Sequence, residues 1–319
     1  MNIKIQCVTL IMVLVFLVFG CKLPSDNEKD TSDYESDNIG TLKYIPEGSY
    51  LRDDFTTNIT EITKSFRMSE YEITRKQFNE IMGNDPSYNW NDNTSAPVQD
   101  VNWYHAIAFC NKLSEKEGFT PVYTVQGITD WSTITYNDIP SNDDVEADAS
   151  IDDNWENAEM DLSADGYRLP TEAEWTWAAM GATEGSDYNG SGVYEDGIWK
   201  DFAGDDGTNS INDYAVYAET SDNDNDQIGD EASEVGTMKP NELGLYDMSG
   251  NIRELCWDWY DASYISGKIT DYTGPQSGTY RVVRGGCWYD PASYCTVRNK
   301  LGSTPHSQNW GIGFRVIRN

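Results

Sequence analysis

The chain has 319 residues, a formal net charge of −32 and a sequence pI of about 4.1, with 11 Trp and 20 Tyr. Such acidity repels phosphate backbones and anionic headgroups, so nucleic acid is not an expected partner. With only two histidines, His105 and His306, a multi-histidine metal centre is excluded.

Residues 1–20 read as an export signal. Lys4 gives the positive start, Val8 to Phe19 is an apolar run short for a bilayer span, and Gly20 precedes Cys21. A small residue directly before cysteine resembles a bacterial lipobox. That resemblance implies cleavage before Cys21, lipidation of its thiol, and an exported, membrane-anchored protein on the outer cell surface. Residues 21–40 are polar and acidic and read as a tether, with order expected from Thr41 onward. Four further cysteines, Cys110, Cys256, Cys287 and Cys295, could pair in three ways, and the sequence does not choose among them.

Strands are expected near Leu42 to Ile45, Leu51 to Phe55 and Lys64 to Ile73. Thr74 and Gln77 then stand at capping-box spacing before an apolar stripe that Gly83 ends. A second helix is expected from Asn102 to Gly118, with Trp103, Ala106, Ile107, Cys110 and Leu113 on one stripe. Cys110 on that stripe reads as core, and His105 as a structural polar residue. The acidic residues between Asp143 and Asp153 read as a solvated insertion without ordered cation-loop spacing, and the tract from Asp222 to Asp226 has the ligand type calcium prefers but lacks the closing glutamate at EF-hand distance. Thr171 and Glu174 in the run Arg168 to Trp175 form another capping box. In the run Gly244 to Glu254, Asp247 and Glu254 flank a Gly-Asn turn, read either as a capped turn or as hard oxygen ligands for calcium.

The last stretch runs from Arg281 to Arg318. Val282 and Val283 at one end and Phe314, Val316 and Ile317 at the other are strand-like. Cys287 to Gly311 shows neither helical nor strand period and reads as a long loop, which in a folded domain is usually functional.

The ordered series RLPTEAEW, GLYDMSGNIRE, RGGCW and GFRV resembles the formylglycine-generating-enzyme family, a branch of the C-type lectin fold. The resemblance implies one α+β domain over residues 41–319, low in regular secondary structure, with acidic insertions. It also implies calcium at Asp247, Gly250, Ile252 and Glu254, with no other cofactor required, although Arg253 stands where the family has an aromatic residue. The family's oxidases bind copper through two cysteines after RGG. Here Cys295 matches the second, but Asp290 holds the first position, and a hard carboxylate does not replace a soft thiolate. The iron-dependent relatives need a histidine cluster that this chain lacks. The chain is therefore expected not to be an enzyme.

Residues 284–318 also resemble the variable region of proteins diversified by retroelements, in which asparagine codons are rewritten at their adenines. The resemblance implies a ligand-binding set of Cys287, Tyr289, Asp290, Pro291, Tyr294, Thr296, Arg298, Leu301, Gly302, Ser303, Thr304, His306 and Ser307. Trp288 and Trp310 are not reachable that way and are expected to be fixed scaffold. Tyr supplies large contact area with few rotatable bonds, while Ser, Thr and Asn adapt their hydrogen bonds. Tyr289, Tyr294 and Arg298 are thus the expected hot spots, for a protein or glycan ligand on a host or neighbouring cell.

Overall fold

Helix signals in the sequence translate directly into structure. In the computed structural model, which describes residues 30–52, 57–87, 92–141, 152–182, 200–221, 231–263 and 265–319, Thr74 caps helix α1 (Arg75–Met82) with a complete Gln77 capping box, and Gly83 closes it at φ 74°. Asn102 likewise caps α2 (Trp103–Glu117), where His105 takes the reciprocal position. Nearly every residue of α2 from Trp103 to Leu113 is buried, so this helix runs through the core rather than along its surface. Cys110 is fully buried there as expected. His105 is buried too, stacked on Tyr136 at 4.3 Å, and burial pushes its pKa down to about 3.

The folded unit spans Ser32–Asn319, so it begins before Thr41. Strand β1 (Tyr34–Ser36) pairs antiparallel with β2 (Gly40–Ile45), and Ile39 between them is buried. The tether expected to reach residue 40 therefore gives way to the fold earlier: its polar composition hid one strand whose backbone is paired and one apolar side chain that anchors the turn. The remaining strands are β3 (Gly48–Leu51), β4 (Ile59–Ile62), β5 (Phe66–Ser69), β6 (Tyr123–Thr124), β7 (Glu159–Met160), β8 (Tyr167–Arg168), β9 (Arg253–Trp259), β10 (Ile269–Thr270), β11 (Arg281–Arg284), β12 (Lys300–Ser303), β13 (Ile312–Gly313) and β14 (Ile317–Arg318). Among the described residues, α3 (Asp153–Glu156), α4 (Glu172–Ala179) and α5 (Ala218–Ser221) are the further α-helices.

A five-stranded sheet of order β1-β2-β5-β14-β8 ties both ends of the folded unit together, and a four-stranded sheet of order β12-β11-β9-β13 presents the C-terminal segment. Smaller sheets, β10-β4-β3 and β6-β7, sit beside them. Phe78 of α1, Phe109 of α2 and Phe314 join in the main core, with ring centroids 5.3 to 6.2 Å apart. The guanidinium of Arg281 lies between Trp103 and Trp259, 3.7 and 3.5 Å from their ring centroids, and donates to the Trp257 carbonyl at 2.7 Å.

The segment 287–311 is less irregular than its composition implies. β12 forms an edge strand within it, pairing Leu301 with Val283 and Lys300 with Arg284, and Ala292–Tyr294 makes one 3₁₀ turn. Tertiary pairing with β11 supplies the order that local propensity withholds. Of the acidic insertions, Asp152 caps α3, whereas Asp143, Asp144, Glu146, Asp148 and the tract from Asp222 to Asp226 lie outside the described residues, as does Cys21. Among the described residues no helix is long and apolar enough to cross a membrane.

Candidate ligand-binding surface

Gly285 and Gly286 follow β11 at φ 91° and 76°, a backbone region that side chains rarely adopt. At Gly286 a Cβ would also lie 2.7 Å from the Cys295 sulfur. This turn delivers Cys287 and Trp288 inward: both are buried, and the Trp288 backbone N–H donates to the Asn251 carbonyl at 2.9 Å.

Asn251 itself is a junction. At φ 60° its backbone N–H reaches the Val216 carbonyl at 2.7 Å. Its Nδ2 donates to Glu72 Oε2 at 2.7 Å, and its Oδ1 accepts from the Ser233 N–H at 2.9 Å. Glu72, which no sequence motif marks, also accepts from the Ile252 N–H at 3.0 Å. Its carboxyl pKa is held well above the usual range by burial and by the neighbouring Asp247 and Glu254. An acidic residue directly before the apolar Ile73 was the available signal.

The Gly-Asn turn thus brings Asp247, Gly250, Ile252 and Glu254 together, but the set does not fit calcium as the resemblance implies. Both Glu254 oxygens are engaged, by Arg315 Nε and Nη2 at 2.7 Å each and by Trp175 Nε1 at 2.7 Å. A guanidinium stands where a cation would need that carboxylate. Asp247 Oδ2 accepts from the Gly236 N–H at 2.7 Å; Oδ1 has no hydrogen-bond partner, and burial pushes the group up to about 6. No group of three or more His, Cys, Asp or Glu among the described residues is arranged to hold a metal ion.

Two of the expected ligand-facing residues prove structural. Cys287 and Asp290 are buried: Asp290 takes a two-point ion pair from Arg253 and accepts from the Cys287 N–H at 3.0 Å. Burial pushes the Cys287 thiol up to about 12 and raises Cys295 as well. All four cysteines in the described residues are free and buried, so none of the three possible pairings forms. Tyr289 is half-buried. Its hydroxyl accepts from Arg253 Nη1 at 2.8 Å, the guanidinium sits 5.0 Å from its ring centroid, and its ring stacks on Trp310 at 5.4 Å.

The outward surface comprises Pro291, Tyr294, Arg298 and Gly302, all exposed, with Thr296, Leu301, Ser303, Thr304, His306 and Ser307 half-buried beside them. Tyr294 is 41% exposed and Trp310, expected to be scaffold, is 43% exposed. Trp310 stacks on Tyr289 and meets Trp288 in a T-shaped pair at 5.6 Å. Asn299 Nδ2 donates to the Tyr294 carbonyl at 2.9 Å, which fixes the backbone under that side chain.

Mixed short strands, few helices and a C-terminal segment carried on curled sheets define a C-type lectin-like fold of the formylglycine-generating-enzyme type. Residues 29–319 match the Sulfatase-modifying factor enzyme 1-like domain, and the chain belongs to that family. It is similar to Treponema denticola variable protein 1, with a TM-score of 0.72 and 32% identity over 90% of this chain and 98% of that one. It is also similar to chaperone protein LppX of Paenibacillus barcinonensis, 30% identical over 97% of this chain and 98% of that protein. The formylglycine-generating enzyme of Streptomyces coelicolor is 32% identical over 50% of this chain and 49% of its own length, so this chain spans about half of that enzyme.

Proposed function

We propose that the chain is a lipid-anchored surface protein that binds a protein or glycan through Tyr294, Arg298, Trp310 and their half-buried neighbours, and that it does no catalysis. The observation that carries this reading is the Asp290–Arg253 ion pair. Asp290 stands where the family resemblance implies the first copper thiolate, and Cys287 and Cys295 are buried thiols whose pKa values burial raises. Exposed aromatic side chains on a paired backbone are the composition of a paratope, because few rotors are frozen on binding. The resemblance to a protein named as variable supports assigning exchange to these positions. No calcium acts through Glu254 in this reading.

The test is to sequence the gene across a clonal population and its relatives. Codons for Tyr294 and Arg298 are expected to vary while those for Gly286, Trp288 and Arg315 do not. Uniform codons at Tyr294 and Arg298 would sink the proposal. An enzyme would instead consume oxygen with copper and a sulfatase-type cysteine peptide, and lose that activity in Cys295→Ser. A structural envelope lipoprotein would bring down one fixed partner whichever sequence the segment carries.

A further inference from the structure

An open cleft of about 140 Å³ lies where α4 and β9 meet the β3-β4 pair and the Val297–Lys300 segment. That is close to the volume, on the order of 150 Å³, that admits a benzene-sized molecule in a protein interior. Tyr50, Trp259 and Tyr272 give it aromatic walls. Its polar lining holds a buried carboxyl group and a buried guanidinium that are not paired with each other.

Asp258 is 1% exposed. Its Oδ2 accepts from the Glu172 N–H at 2.7 Å, but its Oδ1 has no hydrogen-bond partner. Arg284 is 3% exposed and donates only to neutral acceptors: Thr176 Oγ1 at 2.6 Å, the Val297 carbonyl at 2.9 Å and the Asn299 carbonyl. Its Nε has no partner. Among the described residues no carboxylate pairs with Arg284 and no cation pairs with Asp258. The nearby Lys300 is already matched to Glu172 at 3.5 Å.

A buried acid and a buried cation left unmatched each carry a desolvation cost that a complementary group would relieve. Both line one cleft whose walls are aromatic. A ligand with one charge would satisfy one of them; a ligand with both, joined by a short apolar body, would satisfy the two at once. Small-molecule sites are of this kind, apolar walls with few placed polar groups.

We propose that this cleft binds a small zwitterion of the free amino acid class, its ammonium group received by Asp258 and its carboxylate by Arg284. Arg298 of the surface-binding face also lines this cleft, but the two groups that receive the ligand, Asp258 and Arg284, are not assigned to that face, so loss of amino acid binding in Asp258→Asn is distinguishable from failure of the surface reading.

The test uses the purified full-length chain and ligand-detected NMR with three probes of one shape: L-leucine, 3-methylbutylamine and 4-methylpentanoate. L-leucine is expected to bind at least about tenfold more tightly than either singly charged probe, roughly 1.4 kcal/mol of discrimination. Asp258→Asn should remove that advantage over 4-methylpentanoate while leaving the carboxylate probe unchanged, which shows that the variant is folded. Ile269→Trp, which adds bulk to the lining, should weaken all three. The proposal is overturned if the three probes bind alike, if L-leucine shows no saturation transfer at about 10 mM, if Asp258→Asn binds L-leucine as the native chain does, or if neutral methyl glucoside binds in preference.

Discussion

Arg253 and Asp290 meet in a two-point ion pair, Nε to Oδ2 at 2.9 Å and Nη2 to Oδ1 at 2.5 Å, across 37 residues of sequence. The two residues stand at the positions where the resemblance to the formylglycine-generating oxidases implies an aromatic residue and a first thiolate, and in the structure they hold each other. Because both side chains are largely buried, removing one strands the other. Asp290→Ala should cost about 3 kcal/mol in urea unfolding, and adding Arg253→Met should recover part of that loss. Simple additivity of the two losses would show that the pair is not coupled.

The Glu254–Arg315 pair is buried completely. Glu254→Gln should destabilise the fold by about 3 to 5 kcal/mol, since it leaves the guanidinium without its counter-charge. The native chain should melt at the same temperature with calcium or with a chelator. A melting temperature that climbs steadily with calcium would mean that the ion does bind the folded state.

His105 imposes a pH dependence. Its folded pKa of about 3 lies below the ordinary value of 6.5, so below about pH 6.5 the unfolded chain takes up a proton that the folded chain refuses. Stability is thus lost as pH falls from about 6.5 towards 3, at up to about 1.4 kcal/mol per pH unit. Gln in this capping-box position preserves an acceptor for the Asn102 N–H, which His105 Nδ1 now supplies at 3.3 Å. His105→Gln should therefore flatten the acid limb relative to the native chain in paired denaturation curves. Parallel limbs would refute the assignment.

Display and support should separate in mutagenesis. Tyr294→Ala and Arg298→Ala should change unfolding free energy by less than about 0.5 kcal/mol, being exposed. Gly286→Ala should cost more than about 2 kcal/mol, because it combines φ 76° with a clash at the Cys295 sulfur. Equal costs at the three positions, measured by urea unfolding, would remove the distinction between face and frame.

Local signals are legible in the sequence itself. Thr74 and Thr171 cap helices as their spacing requires, because a capping box is satisfied within four residues, and α2 opens after Asn102 where the apolar stripe begins. The ordered motifs likewise point to the family, since their residues are needed by the fold wherever the chain goes between them. What sequence alone could not decide was which side chains of the last segment turn outward. Cys287 and Asp290 differ from Pro291 and Tyr294 in exposure because β11, Gly286 and the distant Arg253 set the backbone's direction, while Glu254 is withheld from a cation by an arginine 61 residues away. Those outcomes depend on partners brought together only by folding, and no local pattern encodes the direction from which they arrive.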